Sequence, residues 1–348
     1  MYKPKFKYTH EIVDKLVKIS AAREVVLNSP LVPKWEISLR RDAIIRSAHA
    51  STSIEGNNLS LEQVSELAKG RDIMAKRKDK TEVLNYLKAL EKINTLTDGK
   101  IITEDNILKI QEMLTTGTLE DPKDCGAFRW TNGKYVVVGN RQTGEVTFRP
   151  PQNDIAPKMM GEYVEWLNSK QSAKLDPVIA AGAAHYEFVR IHPFMDGNGR
   201  TSRVIAALIL YQRGFDTKQF FCLDDYYDSD RNEYYKALRT VNPKKLDLTK
   251  WLEYFVDGVA VSITAIREKV AKLSSERLRA KKKGQIALTE RQMRIVEFIN
   301  QNGKINTGDI TGMFKITRQA ALKEIGKLSE TGIIKMKGKA RASYYVMI

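Results

Sequence analysis

The stretch 192–203 reads His-Pro-Phe-Met-Asp-Gly-Asn-Gly-Arg-Thr-Ser-Arg and is flanked by strong helix signals on both sides. Upstream, Asp176 and the proline after it are typical of a helix start, where a carboxylate caps free N–H groups. That helix must end before Pro193, because the residue before a proline avoids the α region. Downstream, an apolar segment predicts a second helix from near Gly199 to Gly214, since glycine often follows a helix end. The stretch is therefore predicted to be a tight loop between two helices.

This loop carries the groups needed to bind and attack a phosphate ester. The turn Gly197–Gly199 stands at a helix N-terminus, where backbone N–H groups and the helix dipole form an anion site. Arg200 and Arg203 are three residues apart, so they share a helical face and point toward the same anion. Asp196 is a hard oxygen ligand, suited to Mg²⁺ that is shared with phosphates. His192 is the side chain of the loop that can accept a proton near neutral pH.

The same string resembles the signature of the Fic family, His-Pro-Phe-x-(Asp/Glu)-Gly-Asn-Gly-Arg-x-x-Arg, at all nine specified positions. The resemblance implies an adenylyltransferase that moves AMP from ATP onto a Ser, Thr or Tyr hydroxyl of a target protein. In that role His192 deprotonates the hydroxyl, and Asp196 holds the cofactor Mg²⁺. Arg200 stabilises the pyrophosphate that leaves, Arg203 holds the γ-phosphate, and Phe194 anchors the loop in the core.

The resemblance also implies a nucleotide site drawn from three parts of the chain. Tyr234 and Asn242 are similar to the adenine- and ribose-side residues of the family, although packing of the tyrosine in a helical core is an equally good interpretation. The resemblance thus predicts ATP-binding residues in the loop, in a β-hairpin at 135–148 and in this downstream segment. They are Gly197, Asn198, Gly199, Arg200, Thr201, Ser202, Arg203, Val138, Gly139, Asn140, Tyr234 and Asn242.

Residues 135–148 interrupt the helical pattern. Tyr135 begins a β-branched run, a glycine-containing turn follows, and Val146 starts a second short run, which together predict a β-hairpin. The hairpin is similar to the flap with which Fic proteins clamp an extended piece of their target by strand addition. The protein target is therefore expected to dock on the 135–148 flap. An ordinary structural hairpin is the alternative.

An upstream segment, from Ser51 through Glu55 to Gly56, resembles the inhibitory motif of the family, (Ser/Thr)-x-x-x-Glu-(Gly/Asn). Ser51 and Glu55 are four residues apart and so lie on one helical face. If Glu55 pairs with Arg203, the γ-phosphate loses its clamp and ATP binds unproductively. The alternative is a plain helix end that is capped by Gly56.

Composition limits the class of protein. The chain has 348 residues, of which 42% are hydrophobic and 29% charged, as in folded rather than disordered proteins. No apolar run approaches the roughly 20 residues that cross a bilayer, and the start has no apolar signal region. Cys125 and Cys222 are far apart and in no metal-ligand spacing. A cytoplasmic protein without membrane contact is predicted.

The predicted fold is mainly α: a Fic-type helical core with a β-hairpin flap, followed by a C-terminal winged helix. The expected domains are an N-terminal helical region with the inhibitory helix (1–105), the catalytic core (106–268), a basic linker (269–284) and the winged helix (285–348). A long amphipathic helix predicted at Trp251–Arg279 runs into this linker. The last assignment comes from pattern alone, because a helix, a helix-turn-helix and a two-stranded hairpin follow one another.

Basic charge is concentrated at the C-terminus. The net charge is +16, and residues 270–348 carry 17 Lys and Arg against 6 Asp and Glu. This excess favours a polyanion such as DNA, whereas protein docking or dimerisation is the alternative. The residues expected to face DNA, on a recognition helix and a wing, are Thr317, Arg318, Gln319, Lys323, Lys327, Lys335, Lys337, Lys339 and Arg341.

Other functions stay open beside AMP transfer. Some Fic relatives transfer phosphate or phosphocholine, and others use the inhibitory glutamate to remove AMP, so Glu55 is also a candidate for activating water. In a different class, the chain is a DNA-binding regulator whose Fic part senses nucleotide. The target, the signal that releases Glu55 and the oligomeric state, including a homodimer, do not follow from the sequence.

Overall fold

The computed structural model describes residues 2–95, 101–139, 146–215, 219–282, 288–338 and 343–348. Most of these residues are helical, which confirms the predicted mainly-α class. The chain divides into two compact units: Met1–Arg23 with Asp42–Ala265, and Glu24–Arg41 with Ile266–Ile348. The regions 1–105 and 106–268, expected as separate domains, therefore fall largely within one unit that has a continuous hydrophobic core.

The helices share an amphipathic or fully apolar pattern and are joined by short loops. In chain order they are α1 (His10–Asn28), α2 (Pro33–Ile54), α3 (Leu61–Ala68), α4 (Arg77–Glu91), α5 (Glu104–Thr115), α6 (Ala156–Leu167), α7 (Lys170–Ala173), α8 (Pro177–Ile191), α9 (Asn198–Gln212), α10 (Asp224–Ser229), α11 (Arg231–Arg239), α12 (Thr249–Lys282), α13 (Glu290–Asn302), α14 (Thr307–Phe314) and α15 (Arg318–Glu330). Single 3₁₀ turns occupy Ile93–Thr95 and Pro122–Asp124.

Helix α8 lies at the centre of the first unit and begins as predicted. The Asp176 carboxylate accepts a hydrogen bond from the Val178 N–H at 2.8 Å, and a proline occupies the first helical position. Nearly every residue of α8 is buried. A Cβ on Gly182 would lie only 2.8 Å from Leu252 and 2.9 Å from Phe255, so α12 can approach closely because this residue is glycine. Helix α9 packs along α8, and the loop between them is held at one end of the core.

The predicted hairpin is present but short. Strand β1 (Val138–Gly139) pairs antiparallel with β2 (Val146–Phe148), with Val138 opposite Phe148. Residues Tyr135–Val137, expected in the first strand, precede it as irregular chain. Asn140, expected to contact ATP, and the rest of the turn at 140–145 lie outside the described residues.

The predicted linker at 269–284 is wrong over most of its length, because α12 continues through Lys282. Val270 and Ser274 are four residues apart and buried, so the helical pattern extends beyond the expected end, and lysine is a good helix former. Residues 283–287 lie outside the described part of the chain. Among the residues that the structure describes, no helix combines the length and apolar character needed to cross a membrane.

The C-terminal part of the second unit contains helices α13, α14 and α15, and then strands β3 (Ile334–Lys337) and β4 (Tyr344–Met347), paired antiparallel. Side chains of Thr289, Asn306 and Thr317 cap the three helices. The core between them is formed by buried aliphatic residues, among them Ile295, Ile310, Ile325, Leu328 and Ile334. The predicted order of elements is therefore observed. Lys339 and Arg341, expected on the wing, lie outside the described residues.

Candidate active site

His192 ends α8 in the left-handed conformation, with φ 51° and ψ 59°. Its N–H donates to the Phe188 carbonyl at 2.9 Å, and its ring Nδ1 lies 3.3 Å from the Val189 carbonyl. A carbonyl can only accept, so Nδ1 carries the proton and Nε2 keeps a free lone pair. Burial lowers the pKa of His192 to about 4. The imidazole is therefore neutral at pH 7, in the form that a general base needs.

The buried Arg129 fastens the chain that leaves α8. Its Nε donates to the His192 carbonyl at 3.0 Å, and its backbone N–H donates to the Pro193 carbonyl at 2.9 Å. The remaining guanidinium nitrogens donate to Asn153 Oδ1 and the Pro151 carbonyl, just after β2. Nothing in the sequence pattern singles out this arginine, because its partners are more than 20 residues away. It joins the loop to the base of the hairpin.

The loop itself is closed by Asn198. Its side-chain Oδ1 accepts from the Phe194 N–H at 2.9 Å, and its Nδ2 donates to the Phe194 carbonyl at 2.8 Å. Phe194 is buried and stacks on Phe128, with ring centroids 5.4 Å apart, as the predicted anchoring role requires. Since both ends of the Asn198 amide bind Phe194, the side chain closes the loop, and an anion at this position would be left to the backbone N–H groups.

Gly197 precedes α9 with φ 84°, and a Cβ there would lie 2.8 Å from Thr115 Cγ2. Both the backbone conformation and the space therefore require glycine. Behind it, Gln111 Nε2 donates to the Asp196 carbonyl at 3.2 Å. The first N–H groups of α9 have no carbonyl partner within their own helix, so this helix start is the candidate anion site.

Arg200, near the start of α9, is almost completely buried but only partly hydrogen bonded. Its Nη2 donates to Asp196 Oδ1 at 3.0 Å, and its Nη1 lies 3.8 Å from Glu82 Oε1. Within the described residues, Nε and Nη1 have no hydrogen-bond partner. Buried guanidinium donors are normally satisfied, which makes these two candidates for contact with a ligand.

Arg203, one turn further along α9, is instead hydrogen bonded to the end of α2. Its Nε donates to Ser51 Oγ at 2.6 Å, and its Nη2 donates to Glu55 Oε1 and to the Ser51 carbonyl, each at 2.8 Å. The predicted pairing of Glu55 with Arg203 is present. A Cβ built on Gly199 would overlap Glu55 Oε1, so the carboxylate lies directly on the first turn of α9. Asp224 Oδ1, which sequence reasoning missed, is 3.5 Å from Arg203 Nε.

Several other expected ATP contacts are not brought to the loop surface. Thr201 and Ser202 are fully buried, and Ser202 Oγ donates to the Gly199 carbonyl at 2.7 Å. Tyr234 is buried beside Tyr227, and its hydroxyl lies 2.9 Å from His185 Nε2, which matches the core-tyrosine alternative. Asn242 Oδ1 accepts from the backbone N–H groups of Lys244 and Lys245, so it shapes a turn.

The hairpin reaches the base through Phe148. Its ring meets His192 edge-on, with centroids 6.5 Å apart. Thr147 Oγ1 donates to the Val138 carbonyl at 3.0 Å, which ties the two strands together. Val138 and Gly139 are thus on the strand paired with the residue that contacts His192. The site is a neutral imidazole, a helix N-terminus and two arginines within one loop–helix unit, a combination suited to substitution at phosphorus.

Comparison with known proteins identifies this unit. Residues 101–210 match the model of the Fic/DOC family. The protein adenylyltransferase Fic of Drosophila grimshawi is 32% identical over 225 residues, which are 63% of this chain and 42% of that protein. The protein of the same name from Aedes aegypti is 31% identical over 221 residues, 62% of this chain and 40% of that protein. The chain thus spans less than half the length of these curated relatives.

Solved structures agree on the fold. A Fic family protein from Desulfovibrio desulfuricans G20 is similar over 100% of this chain and 98% of its own, with a TM-score of 0.64 and 23% identity. Fic-1 (residues 134–508) from C. elegans has a TM-score of 0.61 and 25% identity, over 76% of this chain and 73% of its own. Residues 101–210 are therefore similar in sequence to the Fic/DOC family, and these structures share the fold of the chain.

Proposed function

We propose that this protein is an ATP-dependent adenylyltransferase that places AMP on a hydroxyl side chain of a protein target and is restrained by Glu55. The observation that carries the proposal is the pairing of a neutral His192 with an α9 N-terminus whose Arg200 has unsatisfied buried donors. The relatives that are named protein adenylyltransferases support the same reaction.

In the proposed complex the phosphates of ATP lie on the first turn of α9. The backbone N–H groups of Asn198 and Gly199 bind the α-phosphate, since the Gly197 N–H already donates to Asp196 Oδ1. Arg200 binds the pyrophosphate part, and Arg203 binds the γ-phosphate. His192 Nε2 takes the proton from the target hydroxyl, whose oxygen bonds to the α-phosphorus while the bond to pyrophosphate breaks. Pyrophosphate leaves, and AMP stays on the target.

Mg²⁺ is part of the proposal, and Asp196 is the residue that would hold it. Its side chain is close to half exposed beside the anion site, and it comes from the loop that would face the phosphates. The described residues contain no group of three or more potential metal ligands. A single carboxylate that shares the ion with phosphate oxygens and water is a usual arrangement for Mg²⁺. When bound, the ion offsets phosphate charge.

Glu55 restrains the proposed reaction because it competes with the γ-phosphate of ATP for the Arg203 guanidinium. Arg203 cannot donate fully to Glu55, Ser51 and a γ-phosphate together, because its donors already point at the end of α2. The Glu55 carboxylate also lies on the helix turn where phosphate would bind, and it repels that anion. ATP therefore binds productively only when Glu55 leaves.

The test is labelling with ATP radiolabelled on the α-phosphate, together with mass spectrometry of the modified protein. Glu55→Gly should label itself or a target at least about tenfold faster than the parent, because the competing carboxylate is gone. His192→Ala in the same background is the matched control: it should bind ATP but not label. If Glu55→Gly labels no faster than the parent, Glu55 does not restrain the reaction. A mass increase other than AMP would assign another transfer reaction.

The flap is proposed as the docking site of the target. Tyr135, Val137 and Val146 are exposed apolar side chains on or next to it, and backbone groups of β1 and β2 are available for strand addition. An extended segment bound there would run past Phe148 and so toward His192. Val137→Asp should lower labelling of a protein target without changing ATP affinity.

A second proposed function is DNA binding by the C-terminal part of the second unit, interpreted as a winged helix. Arg318, Lys323 and Lys327 on α15 are exposed, and in the described residues none of them has an ion-pair partner. Lys335 and Lys337 on β3 are exposed as well. Uncompensated cations on a helix and an adjacent hairpin suit a groove and its phosphates.

Salt-dependent binding of the full chain to duplex DNA tests this function. Lys323→Glu with Lys327→Glu should weaken binding by about tenfold or more and flatten its dependence on salt. The charge-matched control, Lys158→Glu with Lys174→Glu, changes two exposed lysines elsewhere and should have a much smaller effect. Absence of binding by the parent at low salt would exclude the function.

A further inference from the structure

The end of α2 is the part of the chain that sets where the Glu55 carboxylate lies. The Gly56 N–H donates to the Ser53 carbonyl at 2.9 Å, and the Asn57 N–H donates to the Thr52 carbonyl at 3.1 Å. Gly56 has φ 96°, and together these features form a Schellman cap, in which Glu55 is the last residue before the left-handed turn. Helix ends fray more readily than helix interiors, so the position of Glu55 also depends on what holds the chain beyond the cap.

Asn57 holds that chain. It is buried, and its Nδ2 donates to the Asp79 carbonyl and to Glu82 Oε2, both at 3.0 Å. Its Oδ1 accepts from the Leu59 N–H at 3.1 Å. One amide therefore fastens the turn after Glu55 to the first turns of α4. A buried hydrogen bond to a carboxylate is stronger than one between neutral groups.

The carboxylate that receives Asn57 also stands beside the phosphate site. Glu82 Oε2 takes the Asn57 hydrogen bond, while its Oε1 is 3.8 Å from Arg200 Nη1. Asn57 thus connects the turn that carries Glu55 to a side chain in the same cluster as the unsatisfied arginine. Its three bonds anchor the turn and leave the nucleotide surface free.

We propose that Asn57 is a positioning residue for the restraint: it holds the turn after α2 on α4 and so keeps the Glu55 carboxylate on Arg203 and the first turn of α9. This inference rests on the proposed adenylyltransferase. Without the amide, the cap frays, Glu55 spends less time on Arg203, and ATP gains access to its site. The effect acts only through Glu55, so it must vanish where Glu55 is absent.

A double-mutant cycle tests this dependence with the full chain: parent, Asn57→Ala, Glu55→Gly, and both changes together. Asn57→Ala should raise the rate of labelling by α-labelled ATP by about tenfold, the size expected from loss of a buried bond to a carboxylate. In the Glu55→Gly background the same change should alter labelling less than about twofold. Equal labelling by Glu55→Gly and the double variant also shows that the chain without Asn57 folds.

Two further variants sharpen the cycle. Asn57→Asp puts a carboxylate against Glu82, so it should release the restraint at least as much as Asn57→Ala. Asn85→Ala is the matched control: Asn85 also lies on α4 and donates to the Thr116 carbonyl at 2.9 Å, on the side of α5. Loss of this amide should leave the labelling rate of the parent unchanged.

Each other result has a defined meaning. If Asn57→Ala labels no faster than the parent while Glu55→Gly does, the inference is overturned and the proposed function stands. If Asn57→Ala raises labelling by the same factor with and without Glu55, the residue acts by another route and the inference is overturned as well. If Glu55→Gly neither binds ATP nor labels, the proposed function itself fails.

Discussion

Arg200 and Arg203 lie one turn apart on the same helix, yet their surroundings are opposite. Arg200 has two buried donors without hydrogen-bond partners in the described residues, whereas Arg203 is hydrogen bonded to Ser51 and Glu55 and has Asp224 Oδ1 3.5 Å from its Nε. In the proposed site the first arginine would bind a phosphate, whereas the second is occupied by residues at the end of α2. One loop–helix unit thus holds an arginine with unsatisfied donors beside an arginine that pairs with a carboxylate of the same chain.

Loss of Arg200 should have the strongest effect on labelling. Arg200→Ala should slow labelling by about 100- to 1,000-fold in the Glu55→Gly background, because its donors stabilise charge that develops on the leaving pyrophosphate. Initial rates with α-labelled ATP measure the effect. A loss below about fivefold would mean that the unsatisfied donors serve no ligand and that the two arginines do not differ as described.

Loss of Arg203 should have a smaller effect, which is selective for ATP over ADP. Arg203→Ala in the Glu55→Gly background should weaken ATP binding by about 10- to 100-fold and ADP binding much less, since ADP has no γ-phosphate. Calorimetric titration with both nucleotides measures the ratio. Equal weakening of ATP and ADP would contradict a contact that is specific to the γ-phosphate.

The residues of this comparison differ in how far sequence alone predicts them. The loop 192–203 is predictable because its chemistry depends on spacing within one turn and one helix. The pair Ser51 and Glu55 is predictable only through its resemblance to the inhibitory motif of the Fic family, since its spacing alone also fits a plain helix end. Arg129, Glu82 and Asp224 are not, since each reaches the site from a distant segment and has no local pattern. For Tyr234 the sequence suggests a ligand contact that the structure does not show. Its hydroxyl lies in the core, 2.9 Å from His185 Nε2.

The linker boundary was harder to predict than the helix, which the sequence places at Trp251–Arg279 and the structure at Thr249–Lys282. The basic residues at 269–284 indicate a linker by composition, yet α12 continues through Lys282 because buried residues such as Val270 maintain its packing. Tertiary burial of an apolar stripe contributes more to helix stability than intrinsic propensity does. Such burial depends on what surrounds the helix, which a single sequence does not reveal.

The pH dependence of labelling tests whether His192 is neutral at pH 7. Burial lowers the pKa of His192 to about 4, and Glu55 opposes this shift, so the pKa of His192 should be no higher in the Glu55→Gly variant. Its kcat/KM should then change less than about twofold between pH 7 and pH 5 and fall only near pH 4 and below. An imidazole with an ordinary pKa would lose more than about tenfold over the same interval. That steeper fall would contradict a neutral, buried base.

The smallest expected effect concerns the glycines at the two ends of α9. Gly197 has φ 84° and a Cβ would lie 2.8 Å from Thr115, whereas Gly214 has φ 71° and nothing within 4 Å of a Cβ. Alanine at either position should lower the free energy of unfolding by about 1 kcal/mol, because the left-handed backbone is strained for alanine. Gly197→Ala should lower it by about 1–2 kcal/mol more, because its methyl group also overpacks the surroundings. Urea unfolding of the two variants gives the difference in free energy of unfolding. Replacing Thr115 by serine in the Gly197→Ala variant should recover the overpacking part and leave the backbone part. Equal costs at the two glycines would mean that the loop has room to adjust, and that the anion site is held less firmly than its hydrogen bonds indicate.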